Sequence, residues 1–167
     1  MARADHLVGK RRMAREMAVQ MLYQLDLGGA PLAEVLAAFD ARDYLDSRRD
    51  EEGEGDAPRA SGAEVEPALV QAREMTAAVA ACRDEIDACI RGQTEHWRLE
   101  RMPAVDRNIL RLAAWELLHA PDVPPLVVVD EAVELAKRFG SEHSGRFVNG
   151  LLDGLMRAHS AAGGAGR

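Results

Sequence analysis

The residues best equipped for chemistry lie at the two ends of this chain. Near the start, Lys10-Arg11-Arg12-Met13-Ala14-Arg15 sets four cations within six positions. Near the end, Phe139-Gly140-Ser141-Glu142-His143-Ser144-Gly145-Arg146-Phe147-Val148-Asn149-Gly150 joins a helix stop, a polar turn and a helix start to one cation and an aromatic ring. Both segments carry what holds a phosphate backbone and stacks a base. Neither carries a nucleophile–base pair or a metal-ligand set. Ser144 beside His143 is not a catalytic pair, because neighbours on a helix diverge by about 100°. With no phosphate loop, no nucleophile elbow and no paired histidines on one helical turn, the sequence predicts a binding protein without cofactor or metal, not an enzyme.

The cationic cluster spans two faces of a first helical turn, so Arg11, Arg12 and Arg15, with Lys10 beside them, offer a patch to RNA phosphates. Tyr23 follows Arg12 by eleven residues, nearly in phase three turns on, where it extends the same surface and stacks a base. The alternative is a solvated helix end with Tyr23 half-buried, although basic residues there oppose the helix dipole. In the second segment, Ser141 as a cap leaves outward amides that favour anions, to which Ser144 adds a hydroxyl, Arg146 a charge and Phe147 a ring. The alternative is an ordinary helix–helix corner with Phe147 in the core. A third group, Glu100, Arg101, Asp106 and Arg107, forms a mixed-charge strip suited to a protein partner. Dipole compensation at a helix start accounts for Asp106 equally well.

The elements that must position these residues are helices. Ala14, Met17, Ala18, Met21, Leu22 and Leu25 recur at helical spacing from Arg11 to about Leu27. Gly28-Gly29 stops that helix and Pro31 opens the next, with Leu32, Val35, Leu36 and Phe39 as its stripe. Pro67 starts a long helix carrying Val70 or Met75, Val79, Cys82, Ile86 and Ile90, ended by Gly92. After a short segment with Trp97, Leu99 and Met102, Pro103 opens a helix bearing Val105, Ile109, Leu112, Ala113 and Leu117. Pro124-Pro125 leads into another with Val128, Val129, Ala132, Val133 and Ala136, capped by Gly140. The last buries Val148, Leu151, Leu152, Leu155 and Met156. The expectation is an all-α, single-domain helical bundle of about seven helices. Its bounds are a flexible arm over 1–9, a bundle over 10–158 and a frayed tail over 159–167.

Composition agrees. Aromatic residues make up only 4% of 167 positions, so the core is built from Ala, Leu, Val and Met, which suits packed helices. No apolar run reaches membrane-spanning length, and a cytoplasmic location is the simplest expectation. Cys82 and Cys89 lie about 10 Å apart along a helix, too far for a disulfide, and no finger-like spacing completes a zinc site. They read as thiols of a helix interface. The net charge of −7 is segregated: residues 43–66 hold nine acids against three bases, whereas residues 1–15 hold five bases and one acid. Within the acidic stretch, 47–63 has no periodicity and reads as a disordered loop.

Arg11-Arg12-Met13-Ala14-Arg15-Glu16-Met17-Ala18-Val19-Gln20-Met21-Leu22-Tyr23 resembles the opening helix of the NusB family of bacterial transcription antitermination factors. The run Val105-Asp106-Arg107-Asn108-Ile109-Leu110-Arg111-Leu112-Ala113-Ala114-Trp115-Glu116-Leu117 resembles the same family, as does the stretch from Asp122-Val123-Pro124-Pro125 to Asn149-Gly150. The resemblance covers most of the chain outside 43–66. It implies two sub-bundles of helices and binding of the single-stranded boxA element of ribosomal RNA leaders. The partner it implies is the small-subunit ribosomal protein acting as NusE, and the setting is an RNA polymerase antitermination complex that reads through terminators. It also assigns Tyr23, Glu100, Asp106 and Arg107 to the ribosomal-protein interface, and the 140–147 turn to RNA. His143 stands where the family usually has an acid. A similar fold forms the N-terminal part of a ribosomal RNA cytosine methyltransferase, so an RNA-targeting module of that kind is the alternative.

Overall fold

Helix formers carry the first helix, across Gly9, further toward the N-terminus than its apolar stripe alone indicates. In the computed structural model, which describes residues 2–52 and 62–164, α1 runs from Ala2 to Gly28. Residues 2–9 are thus helical and not a loose arm, since Ala2, Arg3, Ala4 and Leu7 all favour helix. Gly29, at φ 67°, turns the chain in the left-handed region that a side chain resists. Then follow α2 (Leu32–Ala38), α3 (Ala41–Glu52), α4 (Gly62–Ala81), α5 (Arg83–Arg91), a 3-10 turn (Leu99–Arg101), α6 (Ala104–His119), α7 (Pro125–Phe139) and α8 (Ser144–Gly164). The described residues contain helices and no strand, eight α-helices where about seven were expected. None is long and apolar enough to cross a membrane.

Two helices are added, one in the acidic stretch and one by a break at Cys82, while the segment with Trp97, Leu99 and Met102 yields only the 3-10 turn. Residues 47–52 continue α3 and 62–63 begin α4, so only 53–61 of the expected loop lie outside the described residues. Tyr44 and Val65 explain the added order, because both are buried and anchor the helix parts flanking the acids. α4 begins at Gly62, with Pro67 inside it and not at its start. The expected single helix to Gly92 is broken at Cys82, where φ −104° and ψ 15° leave helical geometry. Bonds from Cys82 N–H to Ala78 O and from Ile86 N–H to Cys82 O span the break at 3.1 and 3.0 Å. At the other end, α8 continues through residues 159–164, expected as tail.

The chain divides into two compact units, Met1–Ala77 and Ala78–Arg167. In the first, Met13, Met17 and Met21 form a fully buried methionine row on α1, one turn apart. Val35, Phe39, Leu69, Ala72 and Met75 are also buried, whereas Val70 faces out. Arg73 Nε donates to Leu36 O at 3.0 Å, fastening α4 to the carbonyl end of α2.

In the second unit α6 packs against α5, α7 and α8, and these last two pack on each other. Touching three neighbours, α6 buries far more than an amphipathic stripe: Asp106, Arg107, Asn108, Arg111 and Glu116 lie inside beside Ile109, Leu110 and Leu112. Buried charges need partners, and Arg111 has a two-pronged one. Its Nε and Nη2 donate to Asp87 Oδ1 and Oδ2 at 2.8 and 3.1 Å, joining α6 to α5. Arg111 Nη1 also donates to Asn108 Oδ1 at 3.2 Å, and Asn108 Nδ2 to Ala104 O at 2.8 Å.

Candidate nucleic-acid interface

Because α1 begins at Ala2, the basic cluster sits two turns into the helix and escapes the unfavourable end of the dipole, which acts within the first turn. Lys10, Arg11 and Arg12 are half-buried and reach solvent. Arg15 does not: it is 3% exposed, within the stretch 13–19 that is buried throughout, so it belongs to the scaffold and drops out of the expected phosphate patch. Its neighbour Glu16 is also buried. It accepts a short hydrogen bond from Tyr44 Oη, with Arg48 Nη1 3.7 Å from Glu16 Oε2. This cluster holds α3 against α1. Tyr23, 39% exposed, lies on the outside of α1, as a stacking or docking ring requires.

In the second unit the corner between α7 and α8 is tightly built. Gly140 caps α7 with its N–H on Ala136 O at 2.9 Å. A Cβ there would fall 2.5 Å from Ser144 Oγ and 2.7 Å from Ala136 O, so only glycine fits. Ser144 is buried, and its Oγ accepts from Ser141 N–H at 2.9 Å and lies 3.2 Å from Ser141 Oγ. The bond ties the turn before α8 to the first residue of that helix. The expectation that Ser144 offers its hydroxyl to RNA is therefore corrected: the hydroxyl is spent on the turn. Arg146 is exposed. His143 is 86% exposed on its side chain, with Nε2 3.0 Å from Glu142 Oε1, so an acid accompanies the histidine.

Phe147 is half-buried, not in the core, and meets Trp97 edge to face with ring centroids 5.9 Å apart and planes at 66°. Trp97 is 64% exposed. Leu99 and Met102 of the same short segment are buried while Trp97 is not. The signal for this lies in its polar flanks, Glu95-His96 before it and Arg98 after it. The corner thus offers two rings and the Arg146 cation, the composition that recognises unstacked bases and phosphate.

The expected partner strip separates by burial. Glu100 is exposed and takes Arg91 Nη2 at 2.6 Å. Its own backbone N–H, and then Arg91, hold its carboxyl below the usual carboxylate range. Arg107 is buried: Nη1 donates to the carbonyls of Leu99, Glu100 and Met102 at 3.2, 3.4 and 3.3 Å, capping the 3-10 turn. Its surface role is corrected accordingly, because three backbone acceptors occupy its charge. Asp106 is 4% exposed, and its buried Oδ1 has no hydrogen-bond partner among the described residues. Such an orphan acceptor costs stability. Tyr23 belongs to the first unit and the other three residues to the second.

Comparison with known proteins places this geometry in context. The NusB family model matches residues 12–157. A transcription antitermination protein NusB of Sorangium cellulosum is 44% identical over 146 residues, covering 87% of this chain and 91% of that protein. Thermotoga NusB, solved as "T. maritima NusB", superposes with a TM-score of 0.61 at 35% identity, covering 88% of this chain and 90% of the other. A crystal structure of the antitermination factors NusB and NusE in complex with double-stranded RNA matches with a TM-score of 0.66 at 26% identity, covering 89% and 97%.

Proposed function

The chain belongs to the NusB family, and from that premise we propose that it is a transcription antitermination factor, a non-enzymatic adaptor that binds RNA together with a NusE-type ribosomal protein. The RNA is a single-stranded boxA-type element of a ribosomal RNA leader, and the assembly supports read-through by RNA polymerase in the cytoplasm. The observation that carries RNA binding with NusE is the near full-length likeness to a NusB solved with NusE and double-stranded RNA. The single-stranded element is inferred from the exposed rings, which stack unpaired bases. The surface chemistry supports RNA binding independently. Lys10, Arg11 and Arg12 supply cations from the first unit, while Arg146, Phe147 and Trp97 supply a cation and two rings from the second. His143 lies beside them in sequence and contributes a polar edge.

For the protein partner, Tyr23 and Glu100 remain the residues with groups to offer, because Asp106, like Arg107, is buried. Arg107 acts only by shaping the turn on which Glu100 sits. Transcription across a terminator placed behind a boxA leader tests the reading. Read-through should rise when the chain and the ribosomal protein are both present, and fall back when the boxA bases are scrambled. Read-through indifferent to the boxA sequence would contradict the proposed element. Recovery of intact ribosomal subunits, without the single ribosomal protein, in an RNase-controlled pull-down would favour the methyltransferase-like targeting module instead.

A further inference from the structure

Where α5 begins and α6 ends, three side chains of the second unit converge: Cys82 at the N-cap of α5, Glu85 in its first turn and His119 in the last turn of α6. A thiol, a carboxylate and an imidazole here place their ligand atoms all within 4.8 Å of one another. The spacing of three puts Cys82 and Glu85 on one helical face. Packing of α6 on α5 brings in His119 from 34 residues beyond Glu85, with Nε2 3.3 Å from Glu85 Oε2. This distance explains why the sequence, read for finger-like spacing, shows no metal set.

The separations fit coordination. Nitrogen, oxygen and sulfur ligands at about 2.0–2.3 Å from a tetrahedral ion stand about 3.3–3.8 Å from one another. The imidazole and carboxylate already meet that spacing, and the sulfur lies at most about 1 Å outside it, within reach of a side-chain rotation. An ordinary ion pair accounts for His119 and Glu85 but leaves the converging thiol unexplained. The donor set is selective as well. A thiolate with an imidazole suits zinc-class ions and disfavours magnesium and calcium, which take oxygen ligands. Cys82 is half-buried while Glu85 and His119 are exposed, so an ion enters from solvent and keeps water in its fourth position.

We propose that Cys82, Glu85 and His119 form a binding site for one zinc-class divalent ion that clamps the start of α5 to the end of α6. On binding, the Cys82 thiol releases its proton to solvent and the sulfur bonds the ion, the imidazole binds in its neutral form and the carboxylate in its ionised form. No electron is transferred. The site is separate from the proposed RNA-binding residues and does not depend on that reading.

Cobalt(II) titration of the reduced, tag-free full chain tests the site, because a thiolate–cobalt bond gives a charge-transfer absorption that a carboxylate or imidazole does not. The expected result is a band that saturates at one cobalt per chain and is displaced by zinc. Cys82→Ser should abolish the band, and His119→Gln or Glu85→Gln should keep it while weakening affinity about 10–100-fold. Cys89→Ser should leave both unchanged. Because Glu85 and His119 are exposed, their variants remain informative even if Cys82→Ser fails to fold. Absence of the band in the unsubstituted chain overturns the proposal, as does a band that survives Cys82→Ser. Affinity unaltered in both His119→Gln and Glu85→Gln overturns it too, since the thiol would then act alone.

Discussion

Four cations near the N-terminus look interchangeable in the sequence, and the fold assigns them to two tasks. Arg11 and Arg12 reach solvent on α1, and Arg146 does so on α8. Each of the three, changed singly to Ala, should reduce the salt slope of RNA binding by roughly one unit for the phosphate it no longer neutralises, with thermal stability nearly kept. Filter binding across a salt series checks this. Arg15→Ala should do the reverse. Its side chain is buried, so the melting temperature falls, by the equivalent of about 1–3 kcal/mol, while the slope is unchanged. Nothing local in the sequence separates Arg15 from Arg12. The difference is set by tertiary packing: residues 13–19 are all buried, so α1 is covered on every face there, whereas residues 10–12 lie just before that stretch. Asp106 and Arg107 depart from the surface strip for a related reason: helical periodicity predicts a buried stripe, but a helix with three packed neighbours buries its charged residues too.

At the scale of elements, proline and glycine mark boundaries well. Pro103, Pro124 and Gly140 bound α6 and α7 as expected, the prolines through their missing N–H and Gly140 through the close approach of Ser144 and the Ala136 carbonyl. Gly140→Ala should therefore lower the melting temperature, at a cost of about 1–3 kcal/mol, because its methyl would strike Ser144 and the Ala136 carbonyl at the same time. Acidic composition is a poorer guide. The stretch 47–63 looks loop-like by charge, yet α3 continues to Glu52 and α4 starts at Gly62, held by buried Tyr44 and Val65. Long-range pairs have no local signal at all. Asp87 and Arg111 lie 24 positions apart, and only packing of α5 on α6 reveals them as a bidentate buried pair. Asp87→Ala should cost about 3–5 kcal/mol by leaving Arg111 short of its carboxylate, measurable by urea unfolding. Its RNA salt slope should not change.

For the molecule as a whole, the net charge of −7 would argue against RNA if it were spread evenly. It is concentrated in residues 43–66, which leaves cations and rings in each unit for nucleic acid. Those groups are few. With only three Phe, two Tyr and two Trp, and Phe39 and Tyr44 buried, the chain has little stacking surface beyond Tyr23, Trp97 and Phe147. Alone it should hold RNA weakly and mainly through charge. A ribosomal-protein partner that extends the binding surface should tighten the complex by about 100-fold or more, because one RNA then engages both chains at once. The decisive measurement is the affinity for a boxA-type RNA with and without that partner, at one fixed salt concentration. The adaptor account predicts strong tightening that is lost when the boxA bases are scrambled. Equal affinity with and without the partner would contradict it and leave a solitary, charge-driven RNA binder.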